Sequence, residues 1–84
     1  MIEVQHYTAR TGEDLRNLLR GGYLILRGKR IENFNGTEQY EGIGKSSIIV
    51  GISHMLMIGE PEEINETREI LEKKLLTKLK RISH

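Results

Sequence analysis

The segment Ser46–Ile58 is the most apolar part of the chain, and any fold of this chain has to bury one side of it. Read with a period of two, one side carries Ile48, Val50, Ile52, His54, Leu56 and Ile58. The other side carries Ser47, Ile49, Gly51, Ser53, Met55 and Met57. Alternation of this kind, rich in β-branched residues, is typical of a strand with one face on a core. A helix capped by Ser46 is the alternative, but the pattern favours one central strand.

The length of 84 residues predicts one small domain spanning residues 1–84. Because a domain of this size buries little core, self-association is expected. The chain has no cysteine, which excludes a disulfide framework and a thiolate metal site. The sequence shows neither a secretion signal nor an apolar run near the ~20 residues of a membrane helix. We therefore expect a soluble cytoplasmic protein without a cofactor, and the Glu-, Lys- and Arg-rich composition is compatible with a thermophilic source.

The first half of the chain predicts strands around a short helix. Residues 1–7 alternate as in a strand, and a helix over residues 12–20 follows. Gly21 and Gly22 are expected to end that helix, because glycine readily adopts the left-handed conformation found at helix ends. A strand over residues 23–27 then continues through residues 29–34.

Asn35-Gly36 is the clearest turn signal in the sequence. Both residues tolerate positive φ, as a two-residue type I′ hairpin turn requires. Such a turn would pair Phe34 with Thr37 and Ile31 with Tyr40.

The C-terminal segment predicts a long helix over residues 61–82. Pro61 suits the first helical position, and apolar residues recur along one side at a spacing of 3.6 residues. The helix would be ~33 Å long and would extend past a sheet of ordinary strands.

These elements predict an α+β fold with a mainly antiparallel sheet of about four strands, in the order β-α-β-β-β-α. The short helix lies near residues 12–20, and the long C-terminal helix near 61–82 covers one face. We expect a homodimer that is joined through the second side of the central strand or through the overhanging helix.

The segment from His54 through Gly59-Glu60-Pro61 to Leu71 resembles the last strand and helix of a KH domain, a module that binds single-stranded nucleic acid. That family also has a Gly-x-x-Gly loop. No two glycines of this sequence are three apart, so the sequence is not assigned to the family.

A basic cluster leads to the main functional prediction, a small nucleic-acid-binding or regulatory protein. Lysine and arginine on a hairpin can hold a phosphate backbone while aromatic rings stack on bases. The cations predicted for DNA or RNA are Arg27, Lys29, Arg30 and Lys45. The predicted stacking rings are Tyr23, Phe34 and Tyr40.

The alternative is a protein-interaction module with no role on nucleic acid. Its partner surface would lie on the C-terminal helix and consist of Ile70, Leu76, Leu79 and Ile82. A third hypothesis is a phosphate site at residues 42–47, although the phosphate-loop pattern requires glycine at the position of Gln39.

The histidines and serines give little support to catalysis or metal binding. His54 lies on the apolar side of the central strand, where a hydrogen-bonded core or interface histidine is expected. His6 and His84 are distant in sequence, so no metal site is predicted. Because no Gly-x-Ser-x-Gly elbow or Ser/His/Asp arrangement occurs, we expect a protein that is not an enzyme.

Overall fold

The computed structural model describes residues 1–9, 12–26, 31–33, 35–76 and 78–82, without the side chains of 22–26, 31 and 32. Its strands are β1 (Glu3–Thr8), β2 (Ile31–Glu32), β3 (Glu38–Glu41), β4 (Ser47–Val50), β5 (His54–Gly59) and β6 (Lys80–Ile82). Its helices are α1 (Leu15–Leu26) and α2 (Pro61–Leu75). The six strands form one sheet in the order β2-β3-β4-β5-β1-β6, and all neighbouring pairs are antiparallel.

The α+β class and the antiparallel sheet are confirmed, but the strand count is wrong. The described chain has six strands in the order β-α-β-β-β-β-α-β, rather than about four. One additional strand arises inside the central apolar segment, and the other follows the last helix.

The central segment is a hairpin rather than one strand or a helix. The Gly51 amide donates to the His54 carbonyl at 2.8 Å, which closes a turn through Ile52 and Ser53. Across this turn Val50 pairs with Met55. The turn reverses which side of the alternation is buried, because Ile48 and Val50 now share a face with Met55 and Met57.

Helix α1 runs through the glycines that were expected to end it, so the strand predicted over residues 23–27 is wrong for residues 23–26. The helix begins after Asp14, whose carboxylate accepts a hydrogen bond from the Arg16 amide at 2.9 Å, as an N-terminal cap does. Leu15 and Leu19 are fully buried. Their burial outweighs the helix propensity lost at two glycines, ~1 kcal/mol each.

Replacing Gly21 with alanine is expected to raise the free energy of unfolding by about 1 kcal/mol, because Gly21 lies inside α1 and a Cβ there would meet no atom within 4 Å. Urea denaturation followed by circular dichroism measures this change. A loss of stability would instead indicate the left-handed helix end predicted from the sequence.

The hairpin at Asn35-Gly36 exists, but its predicted register is wrong by one residue. Asn33 donates its amide to the Thr37 carbonyl at 2.9 Å, and Ile31 pairs with Gln39 rather than with Tyr40. Three residues therefore separate Asn33 from Thr37 in the sequence, and Gly36 among them has a positive φ of 82°. This agrees with a three-residue hairpin loop in place of the two-residue type I′ turn.

Helix α2 begins at Pro61 as predicted but ends at Leu75, not at residue 82. Leu76 adopts φ 53° and turns the chain away from the helix axis. The chain then returns so that β6 pairs with β1, and Leu79 becomes buried. Residues 80–82, which were predicted to form the overhanging end of the helix, instead form β6 and pair with β1.

Both helices lie on the same face of the sheet. The core joins Leu15 and Leu19 of α1, and Ile64 and Leu71 of α2, to one set of alternating strand residues. From the strands it receives Tyr7, Tyr40, Ile48, Val50, Met55 and Met57. The opposite face of the sheet carries no helix of the described chain.

Candidate functional site: the uncovered face of the sheet

The uncovered side of the sheet, called the open face from here on, is the candidate site. Strand register places Gln39, Ile49, Leu56, His6 and Ile82 in one row across five neighbouring strands. By the same alternation the open face consists of Val4, His6, Thr8, Gln39, Glu41, Ser47, Ile49, His54, Leu56, Ile58, Lys80 and Ile82. These side chains point away from the core.

The centre of the open face is apolar. Ile49, Leu56 and Ile58 lie on the two central strands and are half-buried, while Val4 beside them is 61% exposed. Antiparallel sheets with one solvated face usually place polar residues there. Among the described residues of this face, Glu41 and Lys80 are the permanently charged ones, and they lie toward diagonally opposite corners.

Two histidines meet on the open face. His6 Nε2 lies 2.9 Å from His54 Nδ1, and the ring centroids are 5.0 Å apart. Beside them the Thr8 hydroxyl donates to the Ser53 carbonyl at 2.8 Å, which holds the end of β1 to the β4–β5 turn. Sequence reasoning missed His6 because 48 residues separate it from His54. The pairing of β1 with β5 brings the two histidines together, so the contact can be predicted only once that pairing is known.

The cations predicted for nucleic acid are only partly described. Lys45 is exposed in the loop between β3 and β4. Arg27, Lys29 and Arg30 lie outside the described residues.

The predicted stacking rings are not gathered on one described surface. Tyr40 is 1% exposed and packs in the core, so its ring is not open to a base as the predicted stacking role requires. Its burial follows from its pairing with Ile48 on the covered face. The backbone of Tyr23 is helical and its side chain is not described, and Phe34 lies outside the described residues.

Two further arginines, Arg16 and Arg20, are paired with the protein's own carboxylates. They line a cleft of about 160 Å³ together with residues of the β2–β3 hairpin. The Arg16 guanidinium hydrogen-bonds Asp14 and lowers the pKa of that carboxyl below its ordinary value. Arg20 Nε lies 2.9 Å from Glu38 Oε1, and this hydrogen bond raises the pKa of Arg20. With two cations balanced by two carboxylates, these pairs leave no surplus positive charge for phosphates.

The loop considered for phosphate contacts the protein itself. The Lys45 amide donates to Glu63 Oε2 at 3.3 Å, and the Ile43 amide donates to Thr67 Oγ1 at 2.9 Å. Gly44, at φ 63°, lies directly against the Glu63 carboxylate. The Glu63 carboxylate therefore occupies the place where an anion would approach the Lys45 amide, and the Ile43 amide is already bonded to the Thr67 hydroxyl.

The four residues predicted as a helical partner surface do not form one. Ile70 packs against the core, and Leu79 is 7% exposed. Ile82 belongs to β6 and lies on the open face. Leu76 alone is fully open to solvent, at 91% exposure. The correction follows from the end of α2 at Leu75, which sends the later residues to the sheet.

Comparison with known protein families, with curated proteins and with solved structures found no significant match to this chain. Within the described ranges, no helix is both long and apolar enough to cross a membrane. In the same residues, no group of three or more His, Asp or Glu side chains is placed to hold a metal ion.

Proposed function

We propose that this chain is a binding protein rather than an enzyme, and that it pairs with a second copy of itself through the open face. The observation that carries the proposal is the cluster of Ile49, Leu56 and Ile58 at the centre of a face that neither helix of the described residues covers. Burial of apolar surface stabilises association by about 25 cal/mol per Å². The absence of cysteine suits a cytoplasmic setting for such a protein.

The charges of the open face suit a second copy of the same chain. Lys80 and Glu41 lie at the two ends of a diagonal of the open face. A twofold axis in the plane of the interface, perpendicular to that diagonal, places Lys80 of each copy opposite Glu41 of the other. Twofold dimers use the same patch on both partners, so this pairing occurs twice. Opposite charges at the rim favour the correct orientation more than they add affinity.

The size of the sheet sets the expected strength of the dimer. Six strands of two to six residues, at about 3.3 Å per residue and a spacing of about 4.8 Å, give a footprint of about 400 Å². Standard interfaces bury about 800 Å² of accessible surface on each partner. The open face is therefore near the small end of specific interfaces, and we expect a dissociation constant of about 10 µM.

Replacing Ile49 with lysine is expected to weaken the dimer at least about tenfold, because a charge at the centre of the interface would be buried without a partner. Sedimentation velocity over a concentration series measures the change, and Ile58→Lys serves as a second variant on the same face. Circular dichroism checks that both variants remain folded.

Leu76→Lys is the matched control, since Leu76 is exposed at the end of α2 and lies off the open face. It should leave the dimer unchanged. A wild-type protein that stays monomeric at all concentrations would overturn the proposal. So would a dimer that Leu76→Lys disrupts and Ile49→Lys does not, a result that would favour a helical partner surface.

Nucleic-acid binding is the second candidate, and the position of the basic cluster in the chain favours it. Arg27, Lys29 and Arg30 connect the end of α1 to β2, the outermost strand of the sheet. Fluorescence anisotropy with short DNA and RNA at low and physiological salt tests it. If the triple alanine variant of these residues binds as the wild type does, this candidate is excluded.

A further inference from the structure

His6 and His54 lie on the open face, but the dimer proposal depends on Ile49, Leu56 and Ile58 and gives no role to the contact between the two imidazoles. The two side chains project from neighbouring strands, and the facing nitrogens lie 2.9 Å apart. Their backbones are held in the sheet by the β1–β5 ladder, so the pair does not depend on a flexible loop to come together. In the single chain His54 is exposed and His6 is half-buried, so solvent reaches the pair.

A hydrogen bond alone gives this arrangement little stability. One imidazole must donate and the other accept, and water competes for both groups on an exposed face. A net contribution of about 1 kcal/mol is typical of such a bond. By contrast, two imidazoles on adjacent strands present two nitrogen ligands that need no further ordering of the backbone.

We propose that His6 and His54 together bind a divalent transition-metal ion of the Zn²⁺, Ni²⁺ or Cu²⁺ class. His6 Nε2 and His54 Nδ1 are the ligand atoms. In the metal-bound form the protons reside on His6 Nδ1 and His54 Nε2. Exchange with solvent moves a proton between the two nitrogens of one ring, so the lone pairs of both ligand nitrogens become available and the neutral pair loses no proton. Imidazole suits these ions, whereas Mg²⁺ and Ca²⁺ prefer oxygen ligands.

The observed spacing is close to what such an ion requires. With bonds of about 2.1 Å, two nitrogens at a right angle around the ion lie about 3.0 Å apart, and at a tetrahedral angle about 3.4 Å apart. The observed 2.9 Å therefore needs an opening of at most about 0.5 Å. The rings point toward each other, so both must rotate until their nitrogens face a common point beside the pair. His54 is exposed, so its ring can rotate toward such a point.

Water completes the coordination of this ion, because the described chain contains no cluster of three or more potential ligands. The site is therefore an open, exchangeable one rather than a closed structural site. It does not require a second copy of the chain, so the metal and the dimer can be tested separately.

Isothermal titration with ZnCl₂ and NiCl₂ tests the site. We expect one ion per chain, and both His6→Ala and His54→Ala should lower the affinity about tenfold or more, because each removes one of two ligands. The double variant should be little worse than either single variant, since one imidazole does not chelate. Histidine-ring ¹⁵N spectra should show shifts at these two residues on adding Zn²⁺, and MgCl₂ should produce neither heat nor shifts.

Two controls separate this site from weak binding elsewhere and from self-association. Glu69→Ala, which removes an exposed carboxylate of α2, should leave the affinity unchanged. The titration repeated in the Ile49→Lys variant should still give one ion per chain, even if the dimer is lost or never existed. Zn²⁺ affinity that survives both histidine substitutions, or that Mg²⁺ reproduces, overturns the proposal.

Discussion

Replacing Gly59 with alanine is expected to lower the free energy of unfolding by about 3 kcal/mol. Gly59 ends β5 at φ 155°, a backbone conformation that residues with a Cβ rarely adopt. A Cβ built there would lie 2.9 Å from both Cα and Cβ of Ser46, which is itself buried before β4. Because Cα is a backbone atom and the backbone fixes the position of Cβ, no side-chain rotation relieves the contact.

Gly51→Ala is the matched control for this prediction. Gly51 lies in the turn before β5, and a Cβ there would first meet the His54 carbonyl at 3.7 Å, an ordinary contact distance. We expect its effect to stay within about 0.5 kcal/mol. Urea denaturation of the two variants followed by circular dichroism measures the difference. Equal stabilities would show that β5 does not approach the start of β4 as closely as the structure places it.

The parts of the fold that sequence reasoning predicted correctly depend on local chemistry. Pro61 starts α2 because its missing N–H is not needed in the first turn. Gly36 marks a hairpin because it accepts positive φ. The alternation of the first residues predicts β1. None of these features requires knowledge of which strands pair.

The errors arise where packing outweighs a local signal. Gly21 and Gly22 were interpreted as a helix end, yet α1 continues through them. Glycine lowers helix propensity by only ~1 kcal/mol, which does not by itself end a helix. In the central segment, apolar residues continue on both sides of the turn, and Ile52 at its tip is apolar although 64% exposed. Nothing in the alternation therefore marks the point where one strand becomes two.

The residues of the open face could not be predicted from the sequence for the same reason. A single central strand would place Ile49 with Met55 and Met57, whereas the turn places it opposite Leu56. The His6–His54 contact likewise appears only when β1 is known to pair with β5. Both features depend on long-range register, which a periodic pattern in one segment does not contain.

Replacing Thr67 with valine is expected to lower the free energy of unfolding by about 2 kcal/mol, although valine has nearly the same shape. Thr67 is 1% exposed on α2, and its hydroxyl accepts the Ile43 amide at 2.9 Å and donates to the Glu63 carbonyl at 2.8 Å. Valine would leave the Ile43 amide facing a methyl group. This hydroxyl holds the β3–β4 loop to α2 by hydrogen bonding, so its loss should destabilise that loop before the rest of the fold.

Thr67→Ser separates the hydroxyl from the methyl group. Serine keeps the hydrogen bonds and loses one buried methyl, which costs about 1 kcal/mol. We therefore expect the order wild type, Thr67→Ser, Thr67→Val in decreasing stability, whereas hydrophobicity alone would place Thr67→Val first and Thr67→Ser last. Hydrogen exchange at the Ile43 amide should accelerate in the valine variant and change little in the serine variant. If valine proves as stable as serine, the Ile43 amide has found another acceptor, and the loop is not held to α2 by this side chain.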